Sequence, residues 1–227
     1  MHDNAPAHRR LAEIGLRAGG PHGFALAGGH AVAAHGILQR PSEDVDLFAD
    51  WQRRADFPAA VEVVIAAYMA AGYEVEIDHR TETFARLYLT DPAERSEHHR
   101  VELVANWRLQ PPVQMDIGPV LHADDVMAGK VDALYNRAAA RDFLDIDAAI
   151  GAGRYTLERL CQLAEAVDLG FDRSIFEQML RSIRRFDDED FAEYGVSSEQ
   201  VAALRLRVDE WRAQLVANDD AGPLAGH

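Results

Sequence analysis

Asp44 and Asp46 stand two residues apart in Arg40-Pro41-Ser42-Glu43-Asp44-Val45-Asp46-Leu47-Phe48, a run whose apolar members read as a β-strand. Side chains alternate across a strand, so both carboxylates face the same way, a few ångströms apart. Two like charges so placed are costly unless a cation lies between them or one carboxyl takes up a proton, and a divalent metal is the expected answer. Upstream, Phe24-Ala25-Leu26-Ala27-Gly28-Gly29-His30-Ala31-Val32 reads as an apolar strand, a Gly-Gly turn and a short helix, an arrangement that aims backbone N–H groups at a phosphate. Either half alone is common in chains that do neither job. In this order, with Arg40 and Ser42 just ahead of the acids, they point to metal-assisted phosphate chemistry.

A third acid comes from Arg100-Val101-Glu102-Leu103-Val104. A central strand rarely carries a glutamate unless its charge is engaged. Asp116, in Gln114-Met115-Asp116-Ile117, competes for the same role, and Glu102 is preferred because its strand has the longer apolar run.

The elements that must hold these residues follow from periodicity. Residues 24–27, 45–48, 73–77, 84–89 and 100–104 read as strands, and 57–71 as an Ala-rich helix with Pro58 in its first turn and Gly72 at its end. After the Pro111-Pro112 break comes a last extended piece at 113–117, and the pattern from 123 to about 217 is helical. This predicts an α/β fold, a small mixed sheet at residues 1–120 followed by a helical domain at 121–227. The last helix opens on Ser197 and Gln200, a capping box, and sets Val201, Leu204, Val208, Trp211 and Leu215 on one stripe, read as core. Residues 218–227 read as a frayed tail.

The Gly28-Gly29 turn followed by Asp44-Val45-Asp46 resembles the nucleotidyltransferase superfamily. Gly28-Gly29-His30-Ala31-Val32, Ser42-Glu43-Asp44-Val45-Asp46-Leu47-Phe48 and a second block, Lys130-Val131-Asp132-Ala133-Leu134 through Arg137 to Arg141-Asp142-Phe143-Leu144-Asp145, narrow the likeness to the AbiEii/AbiGii-type, MenT-like toxin branch. It extends over roughly residues 22–150. Fourteen residues separate Gly29 from Asp44, slightly more than the superfamily usually shows, which implies a longer helix or loop. Many members carry serine where Gly29 stands, so this chain offers backbone N–H groups and His30 instead.

The resemblance implies a catalytic domain and a reaction. Asp44, Asp46 and Glu102 would bind Mg²⁺, as two ions, with Mn²⁺ an alternative. Gly28, Gly29, His30, Arg40, Ser42 and Lys130 would contact the nucleotide. Asp142 and Asp145, three apart and so on one helical face, could bind metal, orient Lys130 or pair with Arg137 and Arg141, with the supporting role favoured for Asp142. The implied reaction moves a nucleotidyl group from an NTP to an acceptor hydroxyl, with the tRNA 3′ end as acceptor and a cognate antitoxin as partner. Two other readings stay open: transfer to a small aminoglycoside-like molecule or a protein side chain, and a binding module that keeps the fold without catalysis.

Composition sets limits. Lys+Arg 23 against Asp+Glu 38 leaves a net charge of −15, which excludes a broad basic face for nucleic acid and leaves room only for a local stripe, for which Arg137, Arg141, Arg181, Arg184 and Arg185 are candidates. Lys130 is the only lysine, so a chain that writes its other positive side chains as arginine keeps one amine at a motif position. Cys161 is the only cysteine, which rules out an intramolecular disulfide and suggests a buried thiol. The ten histidines lack cysteine partners or an H-E-x-x-H spacing, so His30 with His35, and His98-His99, do not read as a zinc site. No run approaches the roughly 18 apolar residues of a membrane span, and the opening Met1-His2-Asp3-Asn4 does not read as a signal peptide, so no membrane association and a cytoplasmic location are expected.

Overall fold

The computed structural model describes residues 5–220. Its internal contacts divide the chain into two compact units, Met1–Val126 and Met127–His227. The first contains helices α1 (Ala5–Gly19), α2 (Gly28–Ala34) and α3 (Phe57–Ala70) and strands β1 (Ala25–Leu26), β2 (Asp44–Asp50), β3 (Glu74–Arg80), β4 (Phe84–Thr90), β5 (His99–Asn106), β6 (Val113–Met115) and β7 (Gly118–Val120). The strands form one mixed sheet in the order β3-β4-β5-β2-β1-β7-β6. At its centre β2 runs parallel to β5, while β4 pairs antiparallel with β5, and β1 antiparallel with β2.

The alternation expected along residues 45–48 is present and runs from Asp44 to Asp50. Val45, Leu47 and Ala49 are buried, whereas Asp44, Asp46, Phe48 and Asp50 are half-buried on the other face. The neighbouring strand follows suit, with Val101, Leu103 and Ala105 inside and Arg100, Glu102 and Val104 opposite. Each fully buried Val or Leu contributes about 1.5–3 kcal/mol of apolar burial. A one-residue slip would forfeit that and drive both aspartates into the core, so the apolar residues fix where the acids point.

Helices α1 and α3 belong to this core. Leu11, Ala12 and Leu16 of α1 and Val61, Val64 and Tyr68 of α3 are buried, and the Tyr68 hydroxyl donates to the Leu11 carbonyl at 3.0 Å. Pro58 lies in the first turn of α3, as its sequence suggests. Helix α1 lies ahead of the segments whose sequence marks them as elements and carries no motif. The extended piece at 113–117 is also more than one segment: it is a hairpin in which β6 and β7 pair antiparallel, with Asp116 and Ile117 in the turn.

Helices α4 (Ala123–Asn136), α5 (Ala140–Gly151), α6 (Leu157–Val167), α7 (Arg173–Leu180), α8 (Glu189–Ala192) and α9 (Ser198–Asp220) make up the rest of the described chain, with a 3-10 turn at Arg181–Arg185. The capping box before α9 is present in both directions: Ser197 N–H donates to Gln200 Oε1 at 2.8 Å, and Gln200 N–H donates to Ser197 Oγ at 3.3 Å. Val201, Leu204, Val208, Trp211 and Leu215 are all buried, so the stripe is core. Cys161 is buried too, and burial pushes its thiol up to about 12. Of the tail expected at 218–227, the backbone of 218–220 continues α9, and the remainder lies outside the described residues. Among the described residues no helix is long and apolar enough to cross a membrane.

Candidate active site

Parallel pairing of β2 with β5 puts Asp44 beside Arg100 and Asp46 beside Glu102. One ligand oxygen from each of Asp44, Asp46 and Glu102 lies within 4.8 Å of the other two, and among the described residues this is the one group of metal-ligating side chains so arranged. Asp116, in the β6–β7 turn, is not part of it. The donors are all hard carboxylate oxygens, the chemistry that suits Mg²⁺ or Mn²⁺ and not a thiolate- or imidazole-preferring metal.

Two arginines bracket these acids. Arg100 Nη2 lies 2.5 Å from Asp44 Oδ2 and 3.4 Å from Glu43, and its Nε lies 3.8 Å from Glu102. From β4, which pairs Arg86 with Glu102, Arg86 Nε donates to Glu102 Oε1 at 2.9 Å and its Nη1 lies 3.5 Å from Asp78. Sequence reasoning passed over both. The available signal was Arg100 and Glu102 two apart on one strand face, but Arg86 enters only through pairing across strands.

The Gly-Gly turn lies against this group. Gly28 opens α2 with φ +58°, and a Cβ there would sit 1.7 Å from Asp46 Oδ2. At Gly29 a Cβ would meet Ser42 Oγ at 2.8 Å and the Arg40 guanidinium at 3.4 Å. Gly28, Gly29, Arg40 and Ser42 are therefore brought together beside Asp46. Alanine at Gly28 would face both a left-handed backbone, costing about 1–2 kcal/mol, and a carboxylate that has to move. Gly28→Ala is expected to lower the melting temperature by several degrees and to cut nucleotidyl transfer far more than that stability loss explains, which melting curves and initial rates on the same preparation would show.

His30 belongs to a cluster that the sequence did not reveal. His8 of α1 lies in edge-to-face contact with His30 and with His99 of β5, at centroid separations of 5.2 and 5.4 Å, and His8 Nδ1 is 3.2 Å from His30 Nε2. His98 turns elsewhere, to Thr90, and His35 hydrogen-bonds the Leu121 carbonyl. Burial, then the adjacent His30 and His99, push the His8 imidazole down to about 4, against an opposing pull from Asp44. Burial also lowers His30, with Asp44 raising it and Arg40 lowering it. Between the unfolded value near 6.5 and the folded one near 4 the unfolded chain binds the extra proton, so stability is complete above pH 6.5 and falls as pH drops toward 4. His8 alone accounts for about 3 kcal/mol. Urea midpoints between pH 7 and 4.5 should fall in the wild type and flatten in His8→Phe.

In the second unit, Lys130 of α4 and Asp145 of α5 form a buried ion pair, Nζ to Oδ2 2.8 Å. The expected support of Lys130 by Asp142 is thus replaced by Asp145. Asp142 lies one turn earlier, where it accepts from Ala139 N–H at 3.0 Å and takes Arg137 in a bidentate pair at 2.9 and 3.0 Å, which fixes it in the α5 N-terminal turn. Of the arginines considered for a basic stripe, Arg181 pairs with Glu177 and Arg184 with Asp209.

The family model for the nucleotidyl transferase AbiEii toxin, type IV TA system, matches residues 10–214. The chain belongs to this AbiEii toxin family. JHP933 from Helicobacter pylori superposes on the AbiEii chain with a TM-score of 0.61 at 13% identity, over 97% of each chain. A second Helicobacter pylori protein does so with a TM-score of 0.60 at 14% identity, over 96% of this chain and 98% of its own. MenT4, the nucleotidyltransferase toxin Rv2826c from Mycobacterium tuberculosis H37Rv, aligns at a TM-score of 0.48 and 17% identity, over 94% of this chain and 84% of its own. No curated protein matches in sequence. Two full-length superpositions at such low identity establish a shared fold. The family is one of nucleotidyl transferase toxins of type IV toxin–antitoxin systems, which implies nucleotidyl transfer and an antitoxin partner.

Proposed function

We propose that this AbiEii protein is a metal-dependent nucleotidyltransferase that moves a nucleotidyl group from an NTP to an acceptor hydroxyl, with the 3′ end of a tRNA as the acceptor. The observation that carries the reading is the convergence of Asp44, Asp46 and Glu102 oxygens within 4.8 Å, beside Gly28. Those three carboxylates would hold Mg²⁺ or Mn²⁺, which when bound lowers the pKa of the attacking hydroxyl and offsets charge on the triphosphate.

The chain's own residues do the rest by positioning and electrostatics. Arg86 and Arg100 hold Glu102 and Asp44 in place, through the contacts at 2.9 and 2.5 Å. Gly28 lets the backbone pass close to Asp46, and Arg40 and Ser42 beside Gly29 supply a cation and a hydroxyl donor for phosphate oxygens. Lys130 is the residue that the family resemblance assigns to triphosphate charge. The acceptor oxygen bonds to the α-phosphorus, the bond from that phosphorus to the β-phosphate bridge oxygen breaks, pyrophosphate leaves with the electron pair, and the hydroxyl proton passes to Glu102 or solvent.

A second reading keeps the reaction and changes the acceptor to a cationic small molecule, which the net charge of −15 favours. Incubation with each α-labelled NTP and Mg²⁺, against total tRNA, total protein and an aminoglycoside panel, separates them. Label on tRNA supports the first reading and label on an aminoglycoside the second, while no transfer to any acceptor, with or without Mn²⁺, removes both.

A further inference from the structure

At the far end of β2 and β5 from the acids, both strands run into a tryptophan. Asp50 pairs with Asn106 in the parallel register, and the next residues, Trp51 and Trp107, stack with ring centroids 5.7 Å apart and planes at 35°. The Arg54 guanidinium lies over the Trp51 ring, 4.9 Å from its centroid, and Arg54 Nη1 donates to the Trp51 carbonyl at 3.1 Å. Trp107 is 53% exposed at the outer end. Burying an indole is strongly favourable, so a half-exposed one held against a second ring, itself covered by a guanidinium, is an apolar surface kept open at a cost.

We infer that the Arg54–Trp51–Trp107 column is a stacking platform for a base of single-stranded RNA, reached by the same acceptor strand whose 3′ end is used in the proposed function, on which this inference rests. The exposed indole of Trp107 offers a π-system on which any base can stack, and Arg53 and Arg54, both exposed, offer charge to flanking phosphates. The nearest acids, Asp56 at 3.9 Å from Arg53 and Asp50 at 3.3 Å from Arg108, each already face a guanidinium. Five residues along β2 separate Asp46 from Trp51, about 16 Å at 3.3 Å per residue. A stacked strand rises about 3.4 Å per nucleotide, so a chain ending at the acids would reach the platform with a base about five nucleotides upstream, or fewer if extended. Between the two ends that face carries Phe48 and Val104, half-buried, and Asp50, whose carboxylate already faces Arg108 at 3.3 Å.

Such a platform explains how a chain of net charge −15 takes RNA: by stacking, with few phosphates engaged. Two arginines imply a log–log salt slope of about −1.4 for single strands, far shallower than a broad basic face would give.

The test is binding of a fluorescein-labelled 12-nucleotide single-stranded RNA, by anisotropy, with neither NTP nor metal present. Wild type should bind with the shallow slope, and Trp107→Ala should bind roughly tenfold more weakly. Arg54→Ala, which leaves both rings in place, should weaken binding less and flatten the slope. Wild type that fails to bind overturns the platform, as does Trp107→Ala that binds as tightly. Trp107→Ala that changes only self-association in sedimentation makes the surface a protein contact and overturns it too. Because the assay needs no reaction, a failed transfer experiment leaves a positive result standing, and a failed platform leaves the transfer reading standing.

Discussion

Asp46→Ala should abolish nucleotidyl transfer, by at least about 10³-fold in initial rate, while leaving the melting temperature within a few degrees of wild type. Asp46 is the acid nearest the Gly28 backbone and is central in the group with Asp44 and Glu102. On the proposed reading, removing it would take a ligand from a metal whose electrostatic contribution is several kcal/mol, and each 1.36 kcal/mol is tenfold in rate. The fold does not depend on it, because β2 is held by Val45, Leu47 and Ala49 on the opposite face. Relief of repulsion among three acids also works in its favour. Parallel measurement of label transfer and of thermal unfolding checks both halves. Retention of even a tenth of the activity would mean that the acids do not carry the chemistry.

Lys130→Met is the second large effect, and its sign differs by assay. It strips the cation from Asp145, whose side chain is fully buried, and breaking a buried pair from one side typically costs about 3–5 kcal/mol. At about 2–4 °C per kcal/mol for a chain of this size, the melting temperature should fall by roughly 6–20 °C. Replacing both partners, Lys130→Met with Asp145→Leu, removes the stranded charge and should restore most of that loss. If Lys130 also neutralises the triphosphate, the double variant will be stable and still impaired, with a raised KM for the NTP. Stability and activity returning together would make Lys130 a structural residue only.

The parts legible in the sequence were those written locally. Asp44 and Asp46 share a face because of a period of two, and the apolar flanks of Glu102 marked it as a strand residue with an engaged charge. The Ser197–Gln200 box and the α9 stripe depend on neighbours three or four residues away, and both are present. The fold class came from the change of period near residue 120. What stayed hidden depends on distant pairing. Arg100 reaches Asp44 across 56 positions, and Arg86 reaches Glu102 across an antiparallel pair whose register no local pattern states. His8 lies 22 positions from His30 on a helix that carries no motif. Asp142 and Asp145 lie three apart on one helix face, so sequence could not say which would receive Lys130; the packing of α4 on α5 selects Asp145 and leaves Asp142 to Arg137.

The guanidinium groups of Arg86 and Arg100 have a consequence for how this protein waits between turnovers. Three carboxylates so close repel one another unless a cation compensates them, and here two guanidinium groups do so at 2.9 and 2.5 Å. Under the proposed metal-dependent reaction, chelators should therefore silence transfer without unfolding the chain. An incoming ion has to share or displace bonds that already exist, so free metal alone competes poorly, and a nucleotide that brings both its own ion and further phosphate oxygens for the released arginines does better. Occupancy of the centre then follows nucleotide supply more closely than metal supply.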